Sequence, residues 1–226
     1  VARTRVQSFS IGRSIDQETM STHTLAQLQG VYNFQYAGGE FEVSLRSGGR
    51  FFCQNYQQPA DWSWDPPTGK ISINWKKYGA YELIQDKEIT EGADARCFTG
   101  SLKDKPESWR KMSFKRDFTK AEMQLFDSEW EFIHKDGSFP VKFKADGYNH
   151  FICDQFPSHS HWKLENGASA TPTLFINWGK YGEYELVIDA DGENMTGGAK
   201  GNQDNWRKAK RKGKMDDTGD VHVHDH

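Results

Sequence analysis

The chain has 226 residues, a formal net charge of −3 and an aromatic content of 14%. This charge balance provides no bulk attraction to nucleic acid, so we expect no nucleic-acid partner. No apolar run approaches the roughly 20 residues of a membrane-spanning helix, so we expect a soluble protein without a membrane span. The three cysteines, Cys53, Cys97 and Cys153, are an odd number, which favours an intracellular, reducing compartment, either cytoplasm or an organelle.

Residues 1–29 are predicted to form a leader followed by a short helix. Residues 1–14 contain three arginines and no acidic residue. Residues 14–29 are polar, with a weak apolar stripe that includes Leu25 and Leu28, and this pattern predicts the helix.

Two segments of the chain carry the same aromatic block. ISINWKKYGAYEL spans residues 71–83, LFINWGKYGEYEL spans residues 174–186, and nine of the thirteen positions are identical. Further matches keep the same order, among them Phe34 with Phe132, Cys53 with Cys153 and Trp62 with Trp162. We infer a tandem duplication with repeats at 30–117 and 128–212, a linker at 118–127, and a flexible acidic, histidine-bearing tail at 213–226.

Apolar and polar residues alternate within each repeat. In EFEVSL, residues 40–45, Phe41, Val43 and Leu45 lie on one face, a pattern typical of a strand with one buried side. Turn signals such as Gly38-Gly39 separate these runs and give about seven to eight short strands in each repeat. The fold class predicted is therefore all-β, with two tandem antiparallel barrels of about eight strands each. The alternative is one large sandwich or barrel built from both repeats.

The linker carries a helix signal. Thr119 and Glu122 have the spacing of a capping box, which predicts a helix over residues 119–125.

The order of these segments resembles that of calycin-type barrels, the group of lipocalins, fatty-acid-binding proteins and avidins. Each repeat opens with an aromatic strand, at Tyr32-Asn33-Phe34 and at Trp130-Glu131-Phe132. Hairpins, an isoleucine–tryptophan strand, a glycine turn and a Tyr-x-Leu strand follow, and each repeat closes on Trp-Arg-Lys. Lipocalins open with Gly-x-Trp, whereas this chain has Gly30-Val31-Tyr32. The resemblance implies a ligand cavity and supplies no binding residues.

Aromatic side chains are the first candidate ligand-binding residues. Those of the repeated block could stack on a flat ligand, and tryptophans near turns could contact a carbohydrate or a protein partner. Alternatively, the same rings fill the barrel cores or close the barrel ends. The candidates are Trp62, Trp75, Tyr81, Trp162, Trp178 and Tyr184.

A cluster of histidine, cysteine and aspartate in the second repeat is the second candidate site. Imidazole and thiolate groups are the usual protein ligands of zinc and iron, so the cluster predicts a metal or haem site. The first repeat has Pro59 and Asp61 at aligned positions, so the shared fold does not require the cluster. The alternative is an ordinary exposed loop. The predicted metal ligands are His150, Cys153, His159 and His161, with Asp154 beside them.

Catalytic motifs such as G-x-S-x-G, H-E-x-x-H and the P-loop do not occur in the chain. We therefore expect a non-catalytic protein that holds a small, partly apolar ligand in a barrel, or a protein partner through exposed aromatics. One alternative is an enzyme or a metal- or haem-binding protein that uses the second-repeat cluster. Another is a structural subunit of a larger assembly. The sequence names no cofactor and leaves the oligomeric state open.

Overall fold

The computed structural model describes residues 23–86 and 96–216. The predicted leader, the predicted helix before residue 23 and the tail beyond residue 216 lie outside the described residues. Of the predicted N-terminal helix, the described part contains a 3₁₀ turn at Ala26–Leu28.

Each repeat forms eight strands. Those of the first repeat are β1 (Gly30–Tyr36), β2 (Gly39–Leu45), β3 (Phe51–Phe52), β4 (Asp61–Asp65), β5 (Lys70–Asn74), β6 (Ala80–Gln85), β7 (Cys97–Leu102) and β8 (Lys105–Arg116). Those of the second repeat are β9 (Ser128–His134), β10 (Gly137–Phe143), β11 (Phe151–Ile152), β12 (His161–Glu165), β13 (Thr173–Asn177), β14 (Glu183–Ile188), β15 (Asn194–Ala199) and β16 (Asn202–Lys214). Short 3₁₀ turns also occur at Ser47–Gly49, Lys76–Tyr78 and Gly179–Tyr181.

The two repeats form two separate antiparallel sheets of identical topology. The first sheet has the order β3-β2-β1-β8-β7-β6-β5-β4, and the second has the order β11-β10-β9-β16-β15-β14-β13-β12. A bridge between Arg50 and Asp61 joins the two edges of the first sheet, and a bridge between His150 and His161 joins those of the second. The result is two nearly closed barrels, as predicted. The alternative of one barrel built from both repeats is wrong.

The repeated block occupies the same place in both barrels. Ile73 of β5 faces Tyr81 of β6, and Ile176 of β13 faces Tyr184 of β14. The tandem duplication inferred from the sequence is therefore present strand by strand.

Each barrel encloses its own aromatic core. In the first barrel the ring centroids of Phe51 and Trp75 are 4.8 Å apart, and in the second those of Phe151 and Trp178 are 4.9 Å apart. Burying a large apolar side chain contributes about 1.5–3 kcal/mol, so these rings are a major source of stability for each barrel.

The linker contains the helix α1 (Lys120–Leu125). The predicted capping box is confirmed, since the Glu122 amide donates to Thr119 Oγ1 at 3.2 Å and the Thr119 amide donates to Glu122 Oε2 at 2.7 Å. Ala121 and Leu125 are buried in the core of the second barrel, so α1 packs onto that barrel. No helix in the described part of the chain combines the length and apolar character required to cross a membrane.

The first barrel contacts both the linker and the second barrel directly. Arg50 donates to both carboxylate oxygens of Asp127, at 2.8 and 2.6 Å. Gln58 Nε2 donates to the Tyr148 hydroxyl at 3.1 Å. Beside it, a Cβ atom added to Gly147 would lie 2.1 Å from the Gln58 carbonyl oxygen. The backbones are therefore as close as a glycine permits.

Candidate functional site

The aromatic residues predicted to bind a ligand belong to the barrel cores. Trp75 and Trp178 are 3% and 2% exposed. Their indole Nε1 atoms donate to the carbonyls of Tyr56 and Phe156, at 3.2 and 3.1 Å. The polar atom of each ring is thus satisfied by backbone, and the apolar faces pack against other rings. This environment favours the core interpretation of the repeated block.

The other predicted aromatics are also buried. Trp62, Trp162, Tyr81 and Tyr184 are all at most 5% exposed. Of the six, Trp162 is the one that also lines a cleft, described below.

The tryptophans with large exposed surfaces lie elsewhere. Trp109 and Trp206 are 46% and 37% exposed. They hold equivalent positions at the β7–β8 and β15–β16 hairpins, paired with Ser101 and Gly198. Their position next to the shared Arg-Lys pair was visible in the sequence, but their exposure was not.

The three second-repeat histidines lie together. The Nε2 atoms of His159 and His161 are 2.9 Å apart, and the rings of His150 and His161 have centroids 5.0 Å apart. His150 Nδ1 lies 2.6 Å from Asp146 Oδ2. Burial lowers the pKa of His161, and the neighbouring His150 and His159 lower it further. The neutral imidazole is therefore favoured at that position.

Cys153 has a different environment from these histidines. It is 5% exposed, and burial raises the pKa of its thiol despite hydrogen bonds from the backbone of Phe156 and Gln155. Across residues 23–86 and 96–216, no group of three or more His, Cys, Asp or Glu side chains is arranged to hold a metal ion.

A cleft of about 160 Å³ lies between the two barrels and the linker. Its first wall is the outer face of β1–β3, where Val31 and Phe52 are buried outside the core of their own barrel. Its opposite wall comes from the linker and the second barrel, with Phe126, Trp162 and Leu164. The remaining lining residues are Glu42, Val43, Ser44, Arg46, Gln54, Arg116, Phe118, Glu122, Asn149 and Gly167.

Arg46 is the most unusual residue of this cleft. It is 5% exposed, and its guanidinium carbon lies 3.9 Å from the centre of the Phe52 ring and 4.7 Å from that of Phe126. Its Nη1 donates to Asn149 Oδ1 at 2.7 Å. Burial lowers the pKa of Arg46 to about 9, against the opposing influence of Asp127 and other carboxylates. The protein thus keeps a cation among aromatic rings at a cost in solvation energy.

The carboxylates around Arg46 interact with side chains other than Arg46. Asp127 is bound by Arg50, and Asp146 lies against His150. Glu122 accepts from both terminal nitrogens of Arg116, at 2.7 and 2.9 Å. In the described part of the chain, none of these carboxylates forms an ion pair with Arg46.

Sequence reasoning missed this cleft, although one signal pointed to it. Phe51 and Phe52 are consecutive aromatics, so both faces of β3 must be covered. At the position of Val31 the second repeat has Glu129, 98 residues later, which pairs with Lys142 on an outer face. The second barrel has Ile152 in place of Phe52 and Glu129 in place of Val31, so the corresponding outer wall is less apolar than that of the first barrel.

Comparisons with known proteins supply no relative. The chain matches no family model, and searches of curated proteins and of solved structures find no significant match. No relative therefore provides a ligand, an activity or a family for this chain.

Proposed function

We propose that this protein is a non-catalytic binding protein and that it holds a small, partly apolar ligand in the cleft between its two barrels. The observation that carries the proposal is the composition of the cleft lining. Aromatic rings from both barrels meet there beside a few polar groups, which is the usual make-up of a small-molecule site.

The size of the cleft limits the ligand. A cavity of about 150 Å³ accommodates a molecule such as benzene. The cleft, at about 160 Å³, therefore suits one ring or a short acyl chain. Haem and other large chromophores exceed this volume several-fold.

The cleft is a better location for a ligand than the interior of either barrel. Inside the first barrel, Phe34 has ring contacts with Phe51, Trp75 and Tyr81 at centroid distances of 6.4, 6.3 and 5.8 Å. In the second barrel, Trp178 lies 5.4 Å from Tyr184. A ligand in either interior would have to displace rings that hold the barrel together.

Ligand-observed NMR with benzyl alcohol, a neutral one-ring probe, tests the proposal. The blocking variant is Leu164→Trp, which fills the cleft and places there the residue that the first barrel has at the equivalent position, Trp64. The matched control is Val187→Trp on the exposed face of β14. Binding by the wild type and the control, with loss in Leu164→Trp, supports the proposal. Equal binding by all three proteins, or by none, contradicts it.

A second candidate function is metal binding by the histidines of the second barrel. The observation that favours it is the 2.9 Å approach of the Nε2 atoms of His159 and His161. The two imidazoles are within hydrogen-bonding distance, and with His150 beside them they provide the type of nitrogen ligand that zinc prefers. The test is a zinc-dependent melting shift, described in the Discussion.

A further inference from the structure

We propose that the ligand of the inter-barrel cleft is a small carboxylate, which pairs with the guanidinium of Arg46 and places its apolar part against the aromatic wall. The inference rests on the function proposed above and names the chemical class of the ligand.

The first step is the free hydrogen-bonding capacity of Arg46. Its Nη1 is used by Asn149 and by the carbonyl of Asp146, at 2.7 and 3.5 Å. Its Nε is buried and has no hydrogen-bond partner. Among the described residues, none forms a hydrogen bond with Nη2 either. Nη2 is therefore the nitrogen that a ligand in the cleft can reach, and its N–H groups can donate charge-assisted hydrogen bonds to a carboxylate.

The second step is the cost of leaving Nε and Nη2 of Arg46 unpaired. A buried donor without a partner is destabilising, and a buried charge without a counter-ion is more so. Because Asp127 and Glu122 pair with Arg50 and Arg116, and Asp146 forms a hydrogen bond with His150, an incoming anion is the group that would complete the site. Arg46 lines the cleft, so a ligand seated there comes within its reach.

The third step excludes a more highly charged anion. Two carboxylates, Glu42 and Glu122, also line the cleft. Glu42 forms an ion pair with Lys115 and Glu122 forms one with Arg116, so neither is an unbalanced charge. A dianion such as phosphate would still meet two nearby acids with one free cation. A monovalent carboxylate fits the single positive charge of Arg46 better.

The fourth step concerns the rest of the ligand. The Phe52 and Phe126 rings contact the guanidinium, and Trp162 and Leu164 continue the same apolar surface. An apolar group one ring in size would cover this surface once its carboxylate is bound. The cleft thus suits an amphipathic acid such as an aromatic or short branched-chain carboxylate.

Isothermal titration calorimetry with matched probes tests the inference. The probes are benzoate, its neutral isostere benzamide, acetate and inorganic phosphate, each titrated into the wild type, Arg46→Met and Arg46→Lys. In the wild type, benzoate should bind at least about 10-fold more tightly than benzamide, because charge-assisted hydrogen bonds are about twice as strong as neutral ones. Arg46→Met should bind both equally, and Arg46→Lys should keep part of the preference.

The outcomes separate the inference from the proposed function. Equal binding of benzoate and benzamide by the wild type rejects the inference that the ligand is a carboxylate. It leaves intact the proposal that the cleft binds a small molecule. Stronger binding of phosphate or acetate than of benzoate overturns the aromatic acid in favour of a simple anion site. Absence of binding by every probe overturns both. The comparison of benzoate with benzamide uses the wild type alone, so it stands even where a variant fails to fold.

Discussion

The indole Nε1 of Trp62 donates to the carbonyl of Arg46 at 3.0 Å, so a core tryptophan fixes the backbone from which the cleft arginine extends. The second barrel repeats the arrangement, with Trp162 Nε1 donating to the carbonyl of Lys144 at 3.0 Å. The tryptophan–carbonyl hydrogen bond is therefore a feature of the fold that both barrels share. The side chain at this position, Arg46 or Lys144, is what distinguishes the cleft. The two copies share the barrel frame and differ at this position, where the first has a buried cation.

The core tryptophans provide a prediction about stability. Trp75→Ala and Trp178→Ala should each lower the free energy of unfolding by about 3–5 kcal/mol, because each removes a buried ring and leaves a cavity. A domain has only about 5–15 kcal/mol to lose, so the affected barrel should melt well below the other. Differential scanning calorimetry measures both transitions. Trp109→Ala and Trp206→Ala are the exposed controls and should leave melting nearly unchanged. An unchanged melt for Trp178→Ala would show that its ring is not core.

The sequence was sufficient to predict the two barrels because the alternation and the repeat are local patterns. Phe41-x-Val43-x-Leu45 identifies an inward face without any knowledge of the partner strand. The cleft could not be predicted in the same way. It depends on how the outer wall of one barrel meets the linker and the other barrel, and neither Arg46 nor Asn149 belongs to a motif. Their contact joins residues 103 positions apart.

The close approach at Gly147 predicts that the inter-barrel contact tolerates no side chain. An added Cβ would lie 2.1 Å from the backbone oxygen of Gln58, which cannot move as a flexible side chain can. Gly147→Ala should therefore shift the barrels apart, change the NMR resonances of residues at the contact and weaken benzoate binding. The resonances of each core should persist. Gly38→Ala is a matched control, because its added Cβ would meet only the ring of Tyr36. An unperturbed contact in Gly147→Ala would refute the close packing.

The cysteines predict a specific thiol chemistry. Cys53, Cys97 and Cys153 are free and buried, and burial raises the pKa of each thiol above its usual value of 9.0. Folding therefore favours the neutral thiol. The resulting stability is fully present below pH 9 and is lost as the pH rises through the raised folded values. Titration with a thiol reagent should find three thiols in denaturant and slow reaction in the native state. A fast-reacting native thiol, or fewer than three in denaturant, would contradict this.

The histidine pair predicts a zinc response under the second candidate function. Zinc bound only by the folded state should raise the melting temperature, and the shift should grow with zinc concentration. The double change His159→Ala and His161→Ala should remove the shift. His134→Ala, in β9, changes a histidine outside the cluster and should retain it. A shift that survives the double change would place zinc elsewhere, and no shift in the wild type would reject the metal function.

The presence of Arg46 should lower the free energy of unfolding of the ligand-free protein. Arg46→Met replaces a buried cation without a counter-ion by an apolar side chain of similar length. Replacing a buried ion pair by apolar residues is often neutral or stabilising by about 1–4 kcal/mol, and we expect removal of this unpaired cation to act in the same direction. Arg50→Met is the matched control, since it removes the partner of Asp127 from a half-exposed ion pair and should cost about 1 kcal/mol. Urea unfolding without ligand measures both changes. With saturating benzoate the wild type should become more stable to urea than Arg46→Met, because the ligand stabilises the wild type and not the variant. If Arg46→Met is instead several kcal/mol less stable than the wild type without ligand, Arg46 stabilises the contact between the barrels. Its unpaired nitrogens would then not indicate a ligand site.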